Sequence, residues 1–264
     1  MHQIAPLLGA AGDPMGRTRV RQAAYSASLE VGHDGWCTVW IAELPGLFVN
    51  MSSQRAALRA LPEAVTAYLR WLESHGELSD PPRRIAVKVT ERHRVPVRLR
   101  WGGYAALHGF ERPPVTGEDL VRCMRLMGDM RADTLRLLEG LPRAALDWSR
   151  PGQMRTIKAH LLHVAFSERD YLERLRLGPL PAMGRVRHPV ERLTRARVTV
   201  SWRLMRLTPE ERARVVEADG QWWSLSKVLR RLLYHERYHI RSVARILRYH
   251  GRAVPDGLGG WPRY

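Results

Sequence analysis

Cysteine, lysine and long apolar runs are all scarce in this chain. Two cysteines, Cys37 and Cys123, stand far apart among 264 residues, with no CxxC pair. That excludes a disulfide-stapled scaffold and a thiolate metal site, and it points to a reducing, cytoplasmic setting. No apolar run approaches the roughly 20 residues that span a bilayer, so no membrane partner is expected. Residues 1–20 lack a basic stretch followed by an apolar one. They read as a flexible leader rather than a secretory signal, with Met15 as an alternative start.

Lysine occurs three times, at Lys88, Lys158 and Lys227, so nearly all of the 43 basic residues are arginine. With many Ala, Gly and Leu, that bias is what a G+C-rich genome produces. Set against 26 acids it leaves a net charge of +17. Such an excess admits a polyanion partner, nucleic acid included. No run of five basic residues occurs, however, and the arginines are spread over most of the chain, which is the pattern of a solvated basic surface.

What is present is enough apolar residue, 45%, to build a core throughout, and a length that suits two modest domains. In residues 21–114 the first stretch alternates: Tyr25, Ala27, Leu29 and Val31 on one face, Ser26, Ser28 and Glu30 on the other. A half-buried strand follows from that period of two. His33-Asp34-Gly35 supplies a turn. Trp36 to Glu43 and Leu47 to Asn50 read as two more strands, broken by Leu44-Pro45-Gly46. Ser52 or Ser53 then caps a helix with Leu58, Leu61, Val65, Tyr68, Leu69 and Leu72 inward. Pro62 should kink it or end its first turn. Ile85, Val87 and Val89, then Val95, Val97 and Leu99, predict further strands, with another short one at Tyr104 to Leu107.

The β-β-β-α run resembles the HicB-like antitoxin domain. The residues that carry the likeness are Tyr25-Ser26-Ala27-Ser28-Leu29-Glu30, the step Trp40 to Val49 through Leu44-Pro45-Gly46, and the Ala-rich helix that follows. Such a resemblance implies a protein partner or a DNA-binding role. No ribbon-helix-helix or helix-turn-helix pattern accompanies it, so a small α+β scaffold for packing or oligomerisation, a homodimer included, is the preferred reading.

Residues 115–250 read as four long amphipathic helices, an all-α up-down bundle. Thr116 with Asp119 caps the first, with Leu120, Met124, Met127, Leu135 and Leu138 inward. The second runs from Thr156 to about Leu177 on Ile157, Leu161, Val164, Tyr171, Leu172 and Leu175, flanked by His160 and His163. The third runs from Pro189 to about Leu207, with Val190, Leu193, Val198, Trp202 and Met205 inward. Thr208-Pro209-Glu210-Glu211 opens a short extra helix. Ala218-Asp219-Gly220 turns into the fourth, which reads as one helix from Trp222 onward. Residues 251–264, rich in Gly and Pro, read as a loose tail.

On the fourth helix Val228, Leu232, His235, His239, Val243 and Ile246 share one face. Two imidazoles in an apolar stripe need something to satisfy them, and a metal ion would do so at this i, i+4 spacing. Their other reading is partial exposure or hydrogen bonds to core polar groups.

Arg155 to Ala165 on the second helix and Trp223 to His239 on the fourth resemble the DinB/YfiT-like metalloprotein superfamily. The likeness covers about Thr116 to His250. It implies a divalent ion held by His163, His235 and His239. Three neutral imidazoles with an open position suit Zn²⁺, and Ni²⁺ or Fe²⁺ also fit. The resemblance further implies a small-molecule substrate, and either transfer linked to a low-molecular-weight thiol or hydrolysis. Family members often carry Gln soon after the last ligand; here Ser242-Val243 stands there. The alternative is a non-catalytic binding or regulatory protein in which the metal only steadies the bundle.

His235-Glu236-Arg237-Tyr238-His239 also fits the H-E-x-x-H of zinc proteases. The metzincin extension fails, because Ser242 and Arg245 stand where Gly and the third His belong. Glu236 remains a candidate general base toward a water activated by the ion. Its other reading is a surface ion pair with Arg231 or Arg241. His160 reads as a neighbour of the site or a packed histidine rather than a ligand.

Overall fold

The computed structural model describes residues 22–100 and 106–262. The expected leader lies outside the described residues, as does the start of the expected strand at Tyr104. Ala106 and Leu107, its last two positions, are irregular.

The chain opens with three strands, β1 (Gln22–Gly32), β2 (Cys37–Ile41) and β3 (Phe48–Met51). Helix α1 (Gln54–Ser74) follows, its first turn capped by the Ser53 hydroxyl, which accepts from the Ala56 amide. It neither ends nor restarts at Pro62. The buried stripe of Val65, Tyr68, Leu69 and Leu72 holds it to the sheet against the loss of one hydrogen bond. Strand β4 (Arg84–Val95) then returns parallel to β1, giving the order β3-β2-β1-β4. One long strand thus replaces the several expected there.

Alternation along β1 predicts one wet face, and the structure corrects this. Ser28 and Glu30 are as buried as Ala27 and Leu29. One face of the sheet packs on α1. On the other, Trp40 and Phe48 pack edge-on against Tyr234 of the last long helix, with Phe110 and Trp261 alongside. A sheet covered on both faces does not show simple alternation.

β4 changes face part-way along. Val87 pairs with Tyr25 and Val89 with Ala27, but Glu91 pairs with Ser28 and His93 with Glu30. Thr90 is the extra residue, a bulge, and its hydroxyl donates to the Ala27 carbonyl. In unbroken alternation Glu91 would follow Val89 onto the face that α1 covers. The bulge sends it to the opposite face.

The bundle comprises α2 (Gly117–Leu138), α3 (Ile157–Glu173), α4 (Pro189–Leu204) and α6 (Leu225–Tyr249), with the one-turn α5 (Pro209–Arg212) between the last two. Side chains cap the four starts that sequence can mark: Thr116, Thr156, Thr208 and Ser224 each accept from a backbone amide. Around the ring, α2 packs on α6, α6 on α3, α3 on α4 and α4 on α2. The up-down order expected from the sequence would instead make α2 and α3 neighbours. Here they stand diagonally, and so do α4 and α6.

Two local expectations also change. The first residues of the expected fourth helix form a hairpin, β5 (Val215–Ala218) with β6 (Gln221–Ser224), closed by Asp219-Gly220 with both residues at positive φ. On α4, Val198, Trp202 and Met205 are exposed, while Leu193, Ala196, Arg197, Val200 and Leu204 face inward. The true stripe contains an arginine, which a hydrophobic count passes over. On α2, Leu135 likewise points outward and Leu126, Met130 and Leu137 are buried.

The tail expected to be loose is docked. Leu258–Gly260 forms a single 3-10 turn against α1, α2 and α6. Asp133 of α2 accepts from the Trp71 indole at 2.8 Å and from the Gly259 amide at 2.9 Å. Arg237 donates to the carbonyls of Gly259 and Gly260. At Gly260, φ is +63°, and a Cβ would meet Tyr68 and Trp71 at 3.0 Å, so only glycine fits. One cluster of buried apolar residues accordingly runs from Ala27 and Val39 through Leu72 to Leu126, Val164, Val200 and Leu232.

Candidate metal centre

Helix α3 carries His160 and His163, and α6 carries His235 and His239. Because α3 and α6 pack side by side, the four rings meet. One ring nitrogen from each of His163, His235 and His239 lies within 4.8 Å of the other two. His235 Nε2 stands 3.3 Å from His163 Nε2 and 3.3 Å from His239 Nε2. Two ligands about 2.05 Å from a tetrahedral ion stand about 3.3 Å apart, so the spacing fits one such ion. It is long for an N–H···N hydrogen bond.

His160 lies behind this trio. Its Nδ1 is 2.7 Å from His239 Nδ1. That bond leaves His239 Nε2 facing the cluster, the orientation a second-sphere partner enforces on a ligand. With His239 donating, the remaining proton of His160 sits on Nε2, which is buried without a hydrogen-bond partner. The sequence reading of His160 as a neighbour agrees with this geometry.

Burial holds the rings neutral. It lowers the affinity of His235 and His239 for a proton far below the ordinary value, and the neighbouring histidines and Arg155 add to it. His160 falls to about 4 through burial, Arg155 and His163. His163, half-buried, is lowered by burial and then Arg155. Neutral imidazole is the form that binds a metal.

Around the rings the lining is aromatic and cationic. Tyr171 meets the His235 ring edge-on at 5.5 Å. One turn before His235, Arg231 is buried, donates to the Tyr234 hydroxyl at 2.9 Å and lies over the Tyr171 ring. A surface groove between the end of α2 and the start of α4, lined by Leu135, Arg136, His188 and Glu191, contains none of the three histidines.

Glu236 is not brought to the cluster. Adjacent to His235, it points to another side of α6, into a buried ionic group. Arg131 Nε lies 2.6 Å from Glu236 Oε1, Arg197 Nη2 lies 2.6 Å from Oε2, and the Thr134 hydroxyl donates at 2.8 Å. Glu168 bridges the same two guanidiniums at 2.5 and 2.6 Å. Burial pushes the Glu236 carboxyl up, but the two arginines and their hydrogen bonds outweigh it and hold the group ionised. The expected partners Arg231 and Arg241 are not the ones it uses. Arg131, Glu168 and Arg197 carried no sequence signal, since each comes from a different helix.

Residues 127–243 match the family model of the DinB superfamily. That stretch takes in α3, α4 and all three histidines, and over it the bundle is similar to that superfamily. Among solved structures, YfiT from Bacillus subtilis is similar at 18% identity, covering 58% of this chain and 96% of its own, with a TM-score of 0.43. That protein is described as a probable metal-dependent hydrolase with an unusual four-helix bundle topology. No curated protein matches the chain. Among the described residues, no helix is long and apolar enough to cross a membrane.

Proposed function

We propose that the DinB-like bundle holds one divalent metal ion on His163, His235 and His239, and that the chain is a metal-dependent enzyme acting on an anionic small molecule. The observation that carries this reading is the convergence of three Nε2 atoms at the spacing of a tetrahedral ion, with no carboxylate among them. Zn²⁺ suits the donor set best, with Ni²⁺ or Fe²⁺ as the other fits. When bound, such an ion supplies Lewis acidity toward a water, a thiolate or a carbonyl.

The chain's own residues do the rest. His160 sets the tautomer of His239. Arg155 and Arg231, whose charges the rings feel, favour an anion beside the trio. Glu236 is removed from general-base duty, because both of its oxygens are occupied by Arg131, Arg197 and Thr134. Of the two reaction types expected, transfer through a low-molecular-weight thiol makes the smaller demand, because a thiol that meets a metal needs no carboxylate to lose its proton. Hydrolysis would have to proceed without one.

The second reading, a non-catalytic binding or regulatory protein with a structural ion, is favoured by the burial of His235 and His239. The HicB-like resemblance belongs with it; the β-β-β-α order of residues 22–74 supports that likeness.

Elemental analysis of the purified full chain tests the metal. A His235→Ala/His239→Ala variant that keeps its helical circular dichroism should hold about one equivalent of divalent metal fewer than wild type. Metal content unchanged in that variant sinks the site. Turnover of activated anionic esters, or of electrophiles supplied with a small thiol, then separates enzyme from structural ion. Both activities should vanish with the ion if the first reading holds.

A further inference from the structure

We propose that Glu91, His93 and His108 form a second divalent-metal site, in the sheet module rather than the bundle. The donor atoms of the three lie within 4.8 Å of one another. His93 Nε2 is 2.7 Å from Glu91 Oε1, and His108 Nδ1 is 3.8 Å from Glu91 Oε2. Two imidazoles and a carboxylate are an ordinary three-ligand set for Zn²⁺ and its neighbours.

Three independent features point to a ligand here. First, His108 is fully buried and its Nδ1 makes no hydrogen bond, the Glu91 carboxylate standing 3.8 Å away. A buried imidazole with one unused nitrogen calls for a partner. Second, the arrangement has the outer partners of a metal site. His108 Nε2 faces Glu30 Oε1 at 3.1 Å, leaving Nδ1 toward Glu91. Glu91 is itself oriented by the Ser28 hydroxyl at 2.9 Å and the Gly109 amide at 3.0 Å. A carboxylate behind a ligating histidine, and donors behind a ligating carboxylate, are what fix such ligands in place. Third, the Thr90 bulge is what places Glu91 and His93 on the face that holds Ser28 and Glu30. Bulges in parallel pairs are rare and re-aim side chains beside functional sites.

Glu91 and His93 are partly exposed while His108 is not, so an ion has an entry path and a closed inner side. It would pin the connector at His108–Gly109 to β4. Glu111 of the same connector is ion-paired to Arg230 of α6, so the site would also steady the N-terminal half of the helix that carries His235.

Zn²⁺ itself is the probe. Full-length protein, stripped by chelator, is titrated with Zn²⁺, and tightly bound metal is counted by elemental analysis. Wild type should hold about two equivalents, the His235→Ala/His239→Ala variant about one, a Glu91→Gln/His93→Ala variant about one, and the combined variant none. Glu91→Gln retains an oxygen for Ser28 and Gly109, which protects the fold. The inference is overturned if Glu91→Gln/His93→Ala binds as much Zn²⁺ as wild type, or if wild type holds only metal that the bundle variant loses. Metal lost in the sheet variant alone would support this site while removing the bundle site. Should the sheet variant fail to fold, X-ray absorption on the His235→Ala/His239→Ala protein decides. Zinc with two imidazole ligands supports the site, and zinc with none overturns it.

Discussion

Two sides of α6 show how differently one helix can treat buried polar groups. On one side, Glu236 is enclosed by Arg131, Arg197 and Thr134, and Glu168 completes a group of two cations and two anions. Every charge has an opposite charge in contact. On the other side, His235 and His239 are just as buried, yet their nearest polar neighbours are other neutral rings. The first arrangement is complete within the protein. The second brings one nitrogen from each of His163, His235 and His239 within 4.8 Å of the others, with no charged partner among them. Burial alone does not distinguish structure from site; saturation does.

The largest effect should come from breaking the saturated side. Glu236→Ala leaves two buried guanidiniums short of a partner and should destabilise the fold by about 3–5 kcal/mol. A shift of that size in the denaturant midpoint would show it. A change near zero would mean that Glu236 is a solvated base after all.

Acid should attack the other side next. The ring affinities for protons are lowered in the fold, so protonation favours the unfolded chain. The metal-free protein is therefore most stable above about pH 6.5 and loses stability as pH falls from there toward about 4, where His160 titrates. Each unit of depression is worth roughly 1.4 kcal/mol. Glu236 behaves differently, because its carboxyl is held down. Its stabilisation is complete above the ordinary carboxylate value of 4.5 and is lost as pH falls from there toward about 2. Urea unfolding between pH 5 and 8, with His160→Gln compared, reads the onset of the first phase ahead of the second. A flat profile over that range would contradict the neutral trio.

Smaller still is the effect of His160→Ala on metal affinity. Removing an outer partner should weaken binding by about 10–100-fold without abolishing it, measurable by chelator competition. Abolition would make His160 a ligand. Least of all should be Arg195→Ala. Its pair with Glu191 is half exposed, so the cost should stay below about 1 kcal/mol. Against Glu236→Ala, that measures what enclosure adds to an ion pair.

Sequence carried the parts of this molecule that repeat locally. The caps at Thr116 and Thr208, the α6 stripe and the i, i+4 histidines need only neighbours within a turn or two. The short α5, with its proline and glutamate, was legible for the same reason. The Asp219-Gly220 hairpin was equally local, and a two-residue Asp-Gly between Val-Val-Glu-Ala and Gln-Trp-Trp-Ser is a readable turn signal. The turn itself reads as a turn, but the strand after it reads as helix because Trp222 and Trp223 continue an apolar run. The phase of α4 was not legible. Arg197 occupies a core position only because Glu168 and Glu236 arrive from other helices. The ring order of the bundle, the docked tail and the second histidine cluster likewise depend on contacts between distant segments. Only the pair Glu91-x-His93, two residues apart on a strand, hinted at the last of these.

Thr90 bears on how this stretch of gene can change. Beyond it, the faces of β4 are set by what each residue pairs with on β1, not by counting from Val89. Loss of that single codon would let the two strands pair without interruption and leave Glu91 opposite Ser28 and His93 opposite Glu30. Related chains that differ by one residue here can therefore carry the same cluster, and an alignment that places the gap elsewhere in β4 would hide it.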